Sequence, residues 1–138
     1  MPDAPRRNIH AVGLVVERTG LLVMGQSGSG KTTLAFALIA HAVAQGRFAR
    51  LVADDQVLLR VVDGRLLADA PAAISGLAEA RGWRPSPLPF LAATVVDLVV
   101  VLQDPSEPGE RYASDRMLTV EGVALPQLRL PARSVAGG

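Results

Sequence analysis

Gly25, Gln26, Ser27, Gly28, Ser29, Gly30, Lys31, Thr32 and Thr33 carry the spacing G-x-x-x-x-G-K-T. The apolar run Leu21–Met24 precedes them, and apolar residues at helical spacing follow, Leu34, Leu38, Ile39 and Ala42. Strand, glycine-rich turn and helix start in that order make a P-loop. The glycines let backbone N–H groups come close to a ligand, and the helix N-terminus adds positive potential, so a polyphosphate fits there. Lys31 is the only lysine in the chain. It would reach the outer phosphates of a nucleotide as a point charge, while the Thr32 hydroxyl would coordinate magnesium.

Asp54 and Asp55 follow a second apolar run, Arg50–Ala53, at the end of a strand, where open α/β sheets collect ligands. Neighbouring side chains on an extended segment point opposite ways. The two acids could therefore divide the work, one facing a reacting hydroxyl and the other facing the metal and its waters. About 23 residues lie between Lys31 and Asp54, room for one helix and an immediate return to the sheet.

These residues need a frame, and the pattern supplies one. Residues 1–7 read as a loose lead-in. Asn8–Val16 and Leu21–Met24 read as a hairpin turning at Glu17-Arg18-Thr19-Gly20 and feeding the loop. A helix is predicted over Lys31–Ala44, stopped by Gln45-Gly46. Val57–Val62 and Arg65–Ala68 flank Asp63-Gly64, a strong hairpin signal. Ile74–Ala80 reads as a short strand. The prolines at 85, 87 and 89 make 82–92 an exposed loop, and 103–116 reads as a polar loop. Thr94–Leu102 is the most strand-like run, predicted as one central strand buried on both faces. Met117–Val120 and Val123–Leu130 around Glu121-Gly122 suggest a last hairpin. The fold class expected is α/β, a P-loop core with a mixed sheet, in a single domain over residues 1–138.

Composition narrows the partners. Aromatic residues are 4% of the chain and the net charge is +1, so base-stacking platforms and a basic stripe are both missing and nucleic acid is not the expected partner. With no cysteine, disulfides, thiolate zinc sites and a cysteine nucleophile are excluded. No apolar run approaches the roughly 18 residues of a membrane span, which points to a cytoplasmic protein.

The order of motifs resembles a known family. His10-Ala11 stands fifteen residues before Gly25, then come the P-loop, Leu51-Val-Ala-Asp54-Asp55 and Glu79-Ala-Arg81-Gly82. This order is similar to that of the catalytic domain of bacterial HPr kinase/phosphorylase. The resemblance covers the chain up to residue 82 and loosens beyond it. It implies a fold akin to phosphoenolpyruvate carboxykinase and an ATP- and Mg2+-dependent protein-serine kinase whose substrate is HPr, the phosphocarrier of the sugar phosphotransferase system. It further implies that His10 and Asp54 act at the transferred proton, that Glu79 is a magnesium ligand and that Arg111 is the catalytic arginine; with Asp54 at the proton, Asp55 is the acid left to face the metal. A homo-oligomer, in the family a hexamer, is implied as well.

The chemistry stands beside the name. A serine hydroxyl is a poor nucleophile, so a carboxylate must accept its proton while Lys31, Arg111 and magnesium stabilise the transferred phosphoryl group. Against the long members, this chain lacks the amino-terminal domain and has Thr32-Thr33 after the lysine where Ser-Glu is usual. It shows no Pro-Gly-Arg-Asn-like segment near its carboxyl end. In these respects it is similar to the short alphaproteobacterial form, and weak phosphorylase activity is expected. Arg129 and Arg133 remain as cations that could take phosphate in place of that segment. A GTPase would need Asn-Lys-x-Asp, which a single lysine rules out. A P-loop small-molecule kinase and an adaptor that senses nucleotide without transferring phosphate are the alternatives.

Overall fold

The computed structural model describes residues 6–71, 91–103 and 116–132. Val12, Leu14, Leu21 and Val23 alternate with other apolar residues along two strands, β2 (Ala11–Val16) and β3 (Thr19–Gly25). These pair as the expected antiparallel hairpin, with Val12 opposite Val23 and Leu14 opposite Leu21. Helix α1 (Lys31–Ala44) follows the loop. It ends where Gly46 takes φ 76° and Arg47 N–H bonds back to the Ala42 carbonyl at 2.9 Å. Strand β4 (Ala49–Ala53) then returns antiparallel to β2.

Two layers of sheet result. The larger has the order β4-β2-β3-β8-β10-β9, where β8 is Leu98–Gln103, β9 Met117–Val120 and β10 Val123–Pro131. Strand β8 runs parallel to both β3 and β10. Since β2 opposes both β3 and β4, the strands β4, β3, β8 and β10 all bring their carboxyl ends to one edge. The smaller sheet has the order β1-β5-β6-β7, with β1 Arg7–Ile9, β5 Val57–Val62, β6 Arg65–Asp69 and β7 Ala93–Val95. Its β5–β6 turn is the predicted Asp63-Gly64, both at positive φ, as a two-residue hairpin loop of this twist requires.

Helix α1 lies on one face of the six-stranded sheet, where Ala35, Ile39 and Ala42 pack with Val12, Leu14, Val23 and Leu51. The four-stranded sheet lies on the other, where Val57, Leu59, Leu66 and Ala68 meet Ala11, Leu22, Val52 and Val99. Leu14, Leu22, Val23 and Val99 have no exposed surface. At about 1.5–3 kcal/mol for each fully buried aliphatic side chain, this two-sided burial holds β3 and β8 as the rigid middle of the molecule.

Thr94–Leu102 is not one strand. The run breaks at Val96-Asp97: β7 belongs to the small sheet and β8 to the large one. At the break Val96 N–H bonds to the Leu66 carbonyl, and Asp97 clasps Gly20 twice at 2.8 Å. The Asp97 carboxylate accepts from Gly20 N–H, and Asp97 N–H donates to the Gly20 carbonyl. Position 20 has no room for a side chain, since a Cβ there would lie 1.8 Å from the Val95 carbonyl oxygen. The second half of the run sits centrally as expected, between β3 and β10. The rest of the expected short strand over 74–80 and loops over 82–92 and 103–116 falls almost wholly outside the described residues.

Candidate functional site

The loop leaves β3 at Gly25, whose position is crowded on both sides. A Cβ there would come within 2.7 Å of Ser29 Oγ and 3.0 Å of the Leu102 carbonyl oxygen. Gly28 and Gly30 take φ 81° and 99°, left-handed conformations that turn the chain into α1. Ser29 N–H closes the loop on the Gln26 carbonyl at 3.0 Å. Lys31 is buried, with its ammonium donating to the carbonyls of Gly25 at 2.9 Å and Gln26 at 3.0 Å. The single lysine is thus held against the loop it follows and does not reach into solvent.

Three features of this loop fit a polyphosphate. The N-terminus of α1 has no side-chain cap hydrogen bond and no acid among its own first-turn residues, so among the described residues its first amides are left open to an anion. The buried Ser29 Oγ has no hydrogen-bond partner among the described residues. The Lys31 ammonium is bonded to neutral carbonyls and meets no carboxylate among the described residues, which leaves it available to an anion.

Asp54 directly follows β4, and its carboxylate accepts a hydrogen bond of 2.8 Å from Thr32 Oγ1. Asp55 takes φ 74°, a conformation uncommon outside glycine but tolerated by aspartate. It faces His10, which lies between β1 and β2, with Nδ1 4.0 Å from Asp55 Oδ1 and both side chains 77% exposed. Asn8 and Gln56 flank the pair and are bonded to each other at 3.2 Å. Hence the two acids do part company: Asp54 is tied to the first turn of α1, and Asp55 to the histidine.

Thr32 and Asp54 offer two hard oxygen atoms beside the loop, a set that suits magnesium, which takes one or two carboxylates together with substrate phosphates and water. Among the described residues no cluster of three histidine, cysteine or acidic side chains could hold a metal alone. Glu79 and Arg111 lie outside the described residues. Sequence reasoning passed over Asn8, Gln56 and Gln103. Asn8 lies within β1, Gln56 just before β5 and Gln103 at the end of β8, and only the pairing of strands brings them to this edge.

The glycine-rich loop between a parallel strand and a helix, with an acid-tipped strand beside it, is the arrangement of a P-loop α/β protein. The chain belongs to the family of the HPr Serine kinase C-terminal domain, whose family model matches residues 3–83. It is 32% identical over 141 aligned positions to the HPr kinase/phosphorylase of Clostridium novyi, across 94% of this chain and 44% of that protein. It is 35% identical over 100 positions to that of Clostridium tetani, across 71% of this chain and 31% of the relative. The chain therefore spans less than half the length of these curated relatives. The solved HPr(Ser) kinase/phosphatase from Coxiella burnetii shares the fold with a TM-score of 0.64 at 23% identity, covering 91% of this chain and 85% of that one. The mixed α/β fold expected from sequence is borne out. No helix among the described residues is long and apolar enough to cross a membrane.

Proposed function

We propose that residues 1–138 form a single catalytic domain of a cytoplasmic protein-serine kinase that transfers the terminal phosphoryl group of ATP to a serine of HPr. The observation that carries this reading is the meeting of three groups at one sheet edge. These are the buried Lys31 in its loop, the Thr32–Asp54 bond and the His10–Asp55 pair. The substrate is read from the names of the relatives, and the contacts at this edge support the roles given to its residues.

Gly25 to Thr33 would cradle the triphosphate, with Lys31 holding its outer oxygens in place. Thr32 and Asp54, joined by Glu79, would hold magnesium, which when bound neutralises charge on the phosphates. The serine hydroxyl would approach from the exposed side, where Asp55 can accept its proton and His10 can orient or share it. This division exchanges the roles expected from sequence, where the family resemblance put Asp54 at the proton and the strand pattern left Asp55 to the metal. It is supported by the contact of Thr32 with the first acid and of His10 with the second. Arg111 would complete the site by stabilising the transferred group. Assembly as a homo-oligomer, a hexamer in the family, belongs to the same proposal. The test is to incubate the chain with purified HPr, magnesium and labelled ATP. Label on serine of HPr carries the reading, and ATP binding without any transfer would replace it with a nucleotide sensor.

A further inference from the structure

The edge that carries the loop continues onto β8 and β10. Gly25 pairs with Leu102, so Gln103 is the next residue out along β8, beside the beginning of the P-loop. Strand β10 lies on the far side of β8, with Arg129 opposite Val101 and Pro131 opposite Gln103. Arg129 reaches outward along the sheet. Its Nη1 donates to Gln103 Oε1 at 3.3 Å and its Nε to Gln127 Oε1 at 3.2 Å.

The partners of this guanidinium are both neutral. Arg7 is paired with Glu121 and Arg47 with Glu17, but no carboxylate among the described residues meets Arg129. It is also only partly exposed, and Gln103 shares that half-buried setting. A cation desolvated in part, aimed by two carboxamides and meeting no carboxylate among the described residues has its fork already oriented toward an anion, at little further entropic cost. Each strand spacing is about 4.8 Å, so the guanidinium, on reaching Gln103, stands roughly one to two strand widths from Gly25. That is the scale of one phosphate group beyond those the loop itself holds.

We propose that Arg129, positioned by Gln103, forms a second oxyanion subsite next to the P-loop, and that its ligand is a phosphate group. The inference rests on the nucleotide reading of the loop for its neighbour but not for its own charge. Two sources share this chemistry: the terminal phosphate of a nucleoside triphosphate, and free inorganic phosphate. Lys31 would hold one side of the phosphate chain and Arg129 the other.

The test compares wild type with Arg129→Gln, Arg129→Lys and Gln103→Ala by calorimetric titration of ATP, of ADP and of inorganic phosphate alone, with melting temperatures recorded alongside. If the terminal phosphate is the ligand, Arg129→Gln weakens ATP by about 10-fold and leaves ADP within about two-fold, with Arg129→Lys falling between. If free phosphate is the ligand, its binding is lost in Arg129→Gln while both nucleotides bind as before. Gln103→Ala should reproduce part of whichever loss occurs, because it frees the guanidinium without removing it. Unchanged binding of ATP and phosphate in Arg129→Gln overturns the subsite, as does an equal loss of ATP and ADP with a lowered melting temperature, which would mark Arg129 as structural. Failure of the wild type to phosphorylate HPr would overturn the kinase reading instead, and the phosphate titration would still decide this one.

Discussion

Thr32 donates to Asp54 across 2.8 Å, which ties the first turn of α1 to the tip of β4 over a separation of 22 residues. The bond is surface-exposed, so its contribution to stability should be small, about 1 kcal/mol or less. Its effect belongs to the metal. In Asp54→Asn the magnesium needed for half-maximal ATP binding should rise by about 10-fold, with a melting temperature close to wild type. A magnesium titration checks this, and an unchanged requirement would remove Asp54 from the metal site.

Asp55 and His10 should show the converse pattern. Both side chains are 77% exposed, and neither supports the core. Asp55→Asn is expected to lower the transfer rate by about 100-fold, and His10→Ala by a smaller factor, with ATP affinity within about two-fold of wild type in each. Single-turnover transfer beside equilibrium ATP binding separates the two quantities. Equal losses in both would return Asp55 to the metal.

Lys31→Ala should abolish transfer while leaving the fold intact. The ammonium joins two loop carbonyls and no core residue, so its loss costs stability only on the order of 1 kcal/mol. Circular dichroism and a phosphotransfer assay on one preparation give the answer. Wild-type turnover would refute the assignment of the loop.

Gly20→Ala tests the place where the two sheets are joined. A methyl group there meets the Val95 carbonyl at 1.8 Å, against backbone that cannot swing aside. A loss of roughly 3 kcal/mol or more is expected, while Asp97→Ala, which leaves Gly20 N–H without its acceptor, should cost about 1–3 kcal/mol. Chemical denaturation of both variants measures this. A neutral Gly20→Ala would mean that β7 and β8 can separate from the hairpin without harm.

Much of the site was legible because local pattern and tertiary need agree there. The loop from Gly25 to Thr33, the bounds of α1 and the Asp63-Gly64 turn all depend on residues close in sequence, which is where glycine, helical spacing and turn chemistry act. The break at Val96-Asp97 was not legible in the same way. Residues 94 to 102 are strand-forming on either side of it, and what interrupts them is a partner 77 positions away, Gly20. Asp97, the one charge in that run, was the available signal. That Asp54 and Asp55 part company was legible from alternation along the strand, but which acid meets Thr32 and which meets His10 depends on how β4 is placed against α1 and on the turn before β2.

The parallel pairing of β3 with β8 carries a consequence for the order in which the protein can be made. The P-loop, α1 and Asp54 are all synthesised before residue 60, yet the wall against which Gly25 is seated, Leu102, arrives more than forty residues later. Contacts so distant in sequence close slowly, because loop entropy must be lost before the pairing is gained. A nascent chain that stops short of β8 thus displays every residue of the nucleotide motif with one side of β3 bare. The capacity to hold a nucleotide would then appear late and abruptly, as a sign that the second half of the chain has come home.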